Sequence, residues 1–126
     1  MFINGEWADA ASGATFDVTN PATGEVIGLV PDGDAGDATA AVAAADEAFG
    51  AWSQTTAYER ADLLYRAWEL MIERSAQLAE LMTREQGKPL KASSAEVKYG
   101  ADFLRWYAEE AKRVAGEWLP SARADQ

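Results

Sequence analysis

The sequence predicts a mainly helical segment that opens on a β-hairpin and continues through about four helices. Three observations carry this. Apolar and polar residues alternate in TFDVTN, and after the Pro-led turn PATG the apolar-rich EVIGLV returns; apolar residues then recur at three- and four-residue spacing along most of the chain that follows; and residues that start or stop helices stand at the joints between those runs.

Taken in order, FINGEW (2–7) is a short strand candidate with an Asn-Gly turn signal inside it, too short to stand alone. In residues 15–30, Phe16 and Val18 alternate with polar neighbours, PATG turns the chain with Gly24 free to take a positive φ, and EVIGLV returns, which makes a hairpin. The loop PDGDAGD follows, and in it Asp34 and Asp37 are placed to cap an Ala-rich helix and complement its dipole. Val42, Ala45, Phe49 and Trp52 form one apolar stripe on that helix. Thr56 and Glu59 have the spacing of a capping box, and Leu64, Ala67, Trp68 and Met71 then mark a face to be buried. Ser75 restarts the pattern. Leu78, Leu81 and Met82 carry it to Gly87, which suits the left-handed residue that ends a helix, and Pro89 forbids simple continuation. The last helix, 90–115, carries Gly100, Phe103, Leu104, Trp106, Tyr107, Ala111 and Val114. This is broader than one stripe and calls for partners on two sides. After Gly116, EWLP reads as the start of an extended segment. The chain has no internal repeat and no low-complexity linker.

A length of 126 residues fits one small domain or part of a larger one. Asp and Glu total 21 against 11 Lys and Arg, a formal charge of −10. That field repels phosphate backbones and anionic headgroups, so neither nucleic acid nor a membrane surface is an expected partner. No basic stretch leads into an apolar h-region, and no uncharged apolar run approaches the roughly 20 residues of a bilayer span; a cytoplasmic location is the expectation. With no cysteine there is no disulfide framework, and with no histidine as well the usual zinc sites and most nucleophile–base pairs are excluded.

The remaining candidates for chemistry are few. Asp32, Asp34 and Asp37 are hard oxygen donors close together, as in calcium loops. The EF-hand pattern, however, wants an acid or Asn at position 36 and glycine at 37, where this chain has Gly36 and Asp37, and Ala43 stands where the twelfth-position glutamate belongs. Capping is the better account of these acids. Glu109 and Glu110 are neighbours on a helix and point in different directions, so they read as a solvated face with Arg105 and Arg113 at four-residue spacing. Tryptophans and tyrosines at helical spacing read as core or interface. Gly24, Gly28, Gly33 and Gly36 never make a G-x-G-x-x-G phosphate loop.

The chain resembles the N-terminal portion of the NAD(P)-dependent aldehyde dehydrogenases, most of all the succinate-semialdehyde dehydrogenase branch. Six stretches carry the resemblance in family order: INGEW, NPATGEVIGLVP, AAVAAADEAFGAW, TAYERADLLYRAWELM, LMTREQGKPL and AEVKYGADFLRWYAEEAKRVAGEWLP. What it implies is a large α/β enzyme in which residues 1–126 are the N-terminal part of the coenzyme-binding domain. The intact enzyme would use NAD or NADP to oxidise an aldehyde to its acid. A cysteine thiolate would attack the aldehyde, hydride would pass to the nicotinamide, and a glutamate-activated water would release the acid. The dinucleotide-binding parts, that cysteine and that glutamate lie downstream in the family, so no catalytic and no coenzyme-binding residue is expected here. By this likeness the segment is truncated and inactive alone, with the rest of the dehydrogenase chain as its partner and a homo-oligomer as the intact form.

The same resemblance assigns roles to four positions. Tyr99 and Phe103, one turn apart, match positions at the aldehyde funnel; simple core packing is the alternative. Glu85 matches an acidic position that helps hold a structural monovalent cation in some family members, with a backbone carbonyl near Thr19 as co-ligand. An exposed carboxylate before the Gly87 cap is the alternative there. For the chain as a whole, the alternative function is an autonomous helical module that binds another protein through the open side of its last helix.

Overall fold

The computed structural model describes residues 1–117, 120, 122 and 123. Its elements are β1 (Phe2–Ile3), β2 (Glu6–Trp7), β3 (Thr15–Thr19), β4 (Val26–Pro31), α1 (Ala35–Ser53), α2 (Ala57–Glu73), α3 (Ser75–Gln86) and α4 (Leu90–Glu110), closed by a 3₁₀ turn at Ala111–Arg113. The stretch expected to extend after Gly116 includes Trp118 and Leu119, which lie outside the described residues.

FINGEW folds back on itself instead of forming one strand. Asn4 and Gly5 take φ of 53° and 79°, the left-handed pair that suits a two-residue hairpin turn, so Phe2 pairs with Trp7 and Ile3 with Glu6. The Phe2 and Trp7 rings meet edge-on with centroids 5.3 Å apart. β3 and β4 form a separate antiparallel pair with a bulge between Val18 and Thr19. Their turn is held by the Asn20 carboxamide oxygen, which accepts from the Ala22 N–H at 2.9 Å, and Gly24 takes φ 75°.

Helix starts follow the sequence closely. The Asp34 side chain accepts from the N–H groups of Gly36 and Asp37, while the Asp37 carboxylate accepts from the Asp34 N–H at 3.0 Å, a complete capping box. Asp37 also accepts from the Ala11 N–H at 3.0 Å and so clips the N-terminal loop to α1. Thr56 and Glu59 make the same reciprocal pair at the start of α2. Arg60 braces the turn between α1 and α2 by donating to the Thr55 hydroxyl and carbonyl at 2.9 and 2.6 Å.

The core is a seam of small side chains. Ala61, Ala79, Val97, Ala101, Ala108 and Ser93 are buried where α4 lies against α2 and α3. The larger residues expected on the buried face of α2, Leu64, Trp68 and Met71, are half-buried, and Leu81 of α3 is exposed. The stripe of α1 is a plainer departure: Val42, Phe49 and Trp52 are all exposed. Helical periodicity establishes that these residues share a face; whether another layer stands opposite is a tertiary matter. Helix α1 instead turns Ala41 and Ala44 toward the β1–β2 hairpin.

The last helix stops at Glu110, short of the expected Ala115, and tightens into its 3₁₀ turn. Beyond it Val114 has left helical conformation (φ −76°, ψ 82°), and Gly116 takes φ 72°. Such tightening satisfies terminal carbonyls of the helix.

Candidate functional site

Two features of the sequence converge on one corner of the molecule. Gly87 ends α3 in the left-handed conformation, φ 72° and ψ 7°, and its N–H donates to the Thr83 carbonyl at 2.9 Å. A Cβ placed on Gly87 would lie only 2.9 Å from Cγ of Pro21, so the tip of the β3–β4 hairpin sits directly on this corner. Pro89 then opens α4 at φ −59°. Glycine is required here twice, by the dihedral and by the approach of the hairpin.

From that corner α4 runs with two unlike faces. One buries Ser93, Val97, Ala101 and Ala108 against the neighbouring helices. The opposite face carries Tyr99, Phe103 and Tyr107 at four-residue steps: Tyr99 and Phe103 meet edge-on at 4.9 Å, and Phe103 stacks on Tyr107 at 6.4 Å. With Asp102 and Trp106 these rings line an open groove of about 380 Å³. Tyr99 is 66 % exposed and Phe103 44 %, so neither fills the core of the described chain. The structure thus brings together the two proposed funnel residues, and it adds Asp102, Trp106 and Tyr107 to the same wall. Their spacing from Tyr99, at i+3, i+7 and i+8, was the signal that could have grouped them.

Thr19 lies at the end of β3 and Glu85 in the last turn of α3, both exposed. Each is two residues from the Pro21–Gly87 contact, so their backbones belong to adjoining stretches. Glu85 also borders a groove of about 390 Å³ between α3 and α4, floored by Met71, Leu78, Met82 and Val97.

The charged residues on the outer surface of the bundle pair differently from the sequence expectation. Arg113 pairs with Glu110 at three-residue spacing, and that partnership lowers the Glu110 carboxyl and raises the guanidinium. Glu109 instead accepts from the Tyr65 hydroxyl of α2 at 3.2 Å. Desolvation, and then this bond, hold the Tyr65 phenol above its ordinary range. The Arg105 guanidinium lies 5.5 Å from the centre of the Trp68 ring. Lys112 sits over the rings of Tyr58 and Tyr65 at 5.6 and 5.4 Å. Four-residue spacing admitted several partners for each arginine, and the facing helix decided among them. Asp34 and Asp37 of the PDGDAGD loop cap α1, and among the described residues no cluster of three or more acidic side chains is arranged to hold a metal.

The aldehyde dehydrogenase family model matches residues 7–126, and the chain belongs to that family. It is 52 % identical over 125 residues to a glutarate-semialdehyde dehydrogenase of Pseudomonas putida, and 48 % identical over 124 residues to an NADP(+) succinate-semialdehyde dehydrogenase of Escherichia coli. These alignments cover 99 % and 98 % of this chain, and 26 % of each relative; the chain spans about a quarter of the length of the proteins it matches. Its fold is that of the family. A crystal structure of an E. coli NADP-dependent enzyme superposes with a TM-score of 0.95 at 48 % identity, covering 98 % of this chain and 26 % of the other. A betaine aldehyde dehydrogenase from Staphylococcus aureus, solved in complex with NAD+, superposes with a TM-score of 0.93 at 34 % identity over the same shares. Among the described residues no helix is long and apolar enough to cross a membrane.

Proposed function

We propose that residues 1–126 are the N-terminal part of the coenzyme-binding domain of an NAD(P)-dependent aldehyde dehydrogenase that oxidises a small carboxylated aldehyde, of the succinate or glutarate semialdehyde kind, to its acid. The likeness of nearly all of this chain to the matching quarter of two semialdehyde dehydrogenases carries this reading. The broad exposure of Phe49, Trp52, Tyr99, Trp106 and Tyr107 supports it, because apolar surface of that extent marks a face that another layer covers.

These 126 residues contain no thiol and no glycine-rich phosphate loop, and so they do not fit the coenzyme or supply the nucleophile. No chemical step is assigned to them. Their role in the intact enzyme is to wall the aldehyde's approach, with Tyr99 and Phe103 lining the funnel. A structural monovalent cation near Glu85 and the backbone at Thr19, a homo-oligomeric assembly and a cytoplasmic location belong to the same reading.

The experiment is a graft: this chain replaces the matching first quarter of the E. coli succinate-semialdehyde dehydrogenase. The graft is expected to reduce NADP with succinate semialdehyde, and the 126-residue chain alone to reduce neither coenzyme. A graft that folds and melts cooperatively yet reduces no coenzyme would overturn the reading. Reproducible reduction by the chain alone, surviving a contamination control, would overturn the inactive role assigned to it.

A further inference from the structure

A helix whose fully buried contacts are alanine and valine has no directional bond among them to fix its rotation. Apolar contact is non-directional, and the fully buried part of the α4 seam is made of small side chains, flanked by the half-buried Leu64, Trp68, Met71 and Leu104. The seam of α4 (Val97, Ala101 and Ala108 against Ala61 and Ala79) is of this kind. It includes one polar exception. Ser93, fully buried and in the first turn of α4, shares a 2.8 Å hydrogen bond with the Thr83 hydroxyl of α3. Among the described residues it is the one hydrogen bond between α4 and α2 or α3 that has a fully buried partner. The Tyr65–Glu109 bond, by contrast, lies at the exposed rim.

We propose that the Thr83–Ser93 bond is a register lock, which makes both residues positioning residues for the aromatic wall on the opposite side of α4. A buried hydroxyl left unpaired is costly, so any rotation that parts the two oxygens carries a penalty beyond that of the apolar seam alone. The lock sits on the same helix as the wall: Ser93 lies six residues before Tyr99, ten before Phe103 and fourteen before Tyr107. Because a helix is stiff, a rotation at Ser93 carries all three rings with it. The proposal rests on the funnel reading of Tyr99 and Phe103.

The test uses the grafted full-length dehydrogenase. The double variant Thr83→Val/Ser93→Ala removes both polar partners together, which is expected to leave the melting temperature near that of the parent. With the lock gone, the ratio of kcat/KM for a bulky aldehyde to that for a short one is expected to shift about three- to tenfold, mainly through KM. Amide hydrogen exchange along residues 93–107 is expected to rise at the same time. Ser93→Thr, which keeps a hydroxyl, should restore the parent ratio when combined with Thr83→Ser. A double variant with the parent melting temperature, the parent ratio and the parent exchange would overturn the lock. If Tyr99→Ala and Phe103→Ala leave the substrate ratio unchanged, the funnel reading falls instead, and hydrogen exchange alone decides whether the register was held.

Discussion

Replacing Gly87 by alanine probes the corner on which the hairpin and the two helices meet. The residue sits at φ 72° and ψ 7°, where a Cβ crowds its own backbone at a cost of roughly 1–2 kcal/mol. The new Cβ would also stand 2.9 Å from Cγ of Pro21, well inside the ordinary 3.5–4.0 Å carbon contact. The proline ring cannot swing aside as a flexible chain would, so this overlap adds about 1 kcal/mol or more. Alanine also restricts the unfolded chain, which returns about 0.4–1 kcal/mol. The net expectation is a destabilisation of about 1–3 kcal/mol, read from the urea midpoint of helical circular dichroism at unchanged slope. Pro21→Ala removes Cγ. In a double-mutant cycle it should therefore recover the steric share, a coupling of about 1 kcal/mol. Gly87→Asn should cost less than alanine, since asparagine visits the left-handed region more readily. An alanine variant within about 0.5 kcal/mol of the parent, or a cycle with no coupling, would refute the assignment of the strain to these two causes.

Other glycines should behave in the opposite way: Gly50 and Gly100 lie inside helices with no atom nearer than 4.0 Å to an added Cβ, so alanine at each is expected to stabilise by about 0.5–1 kcal/mol in the same urea experiment. The Asp37 carboxyl is held below its ordinary range by the N–H groups of Asp34 and Ala11, so the stability it contributes is present above about pH 4 and is lost as acid titrates it below that. Asp37→Asn should therefore be less stable at neutral pH and show a flatter acid limb; equal acid limbs would remove the clip between Ala11 and α1. In the grafted enzyme, Tyr99→Ala and Phe103→Ala are expected to change discrimination between short and bulky aldehydes about tenfold, whereas equal loss for every substrate, tracking thermal stability, would leave only a packing role. Potassium or sodium should raise the melting temperature of that enzyme, and Glu85→Gln should abolish the rise; indifference to both cations before and after the change would remove the cation site.

Local chemistry was legible from the sequence because its causes lie within a few residues. Both capping boxes, the hairpin over residues 15–30 with Gly24 at positive φ, the restart at Ser75 and the left-handed stop at Gly87 each follow from a backbone donor, a dihedral or a side chain close in the chain. Resemblance carried the rest of the reading, from the family to the aldehyde dehydrogenase fold. What the tertiary structure alone decided depends on groups far apart in sequence. It set Pro21 against Gly87 and gave Glu109 to Tyr65 and Arg105 to Trp68. It also left the Val42–Phe49–Trp52 stripe uncovered and buried Ser93 in the seam. Periodicity reports that residues share a face, whereas burial requires a second surface to meet that face. The small seam of α4 and its outer aromatic wall have the same helical period, and only the positions of α2 and α3 determine which of the two is inside.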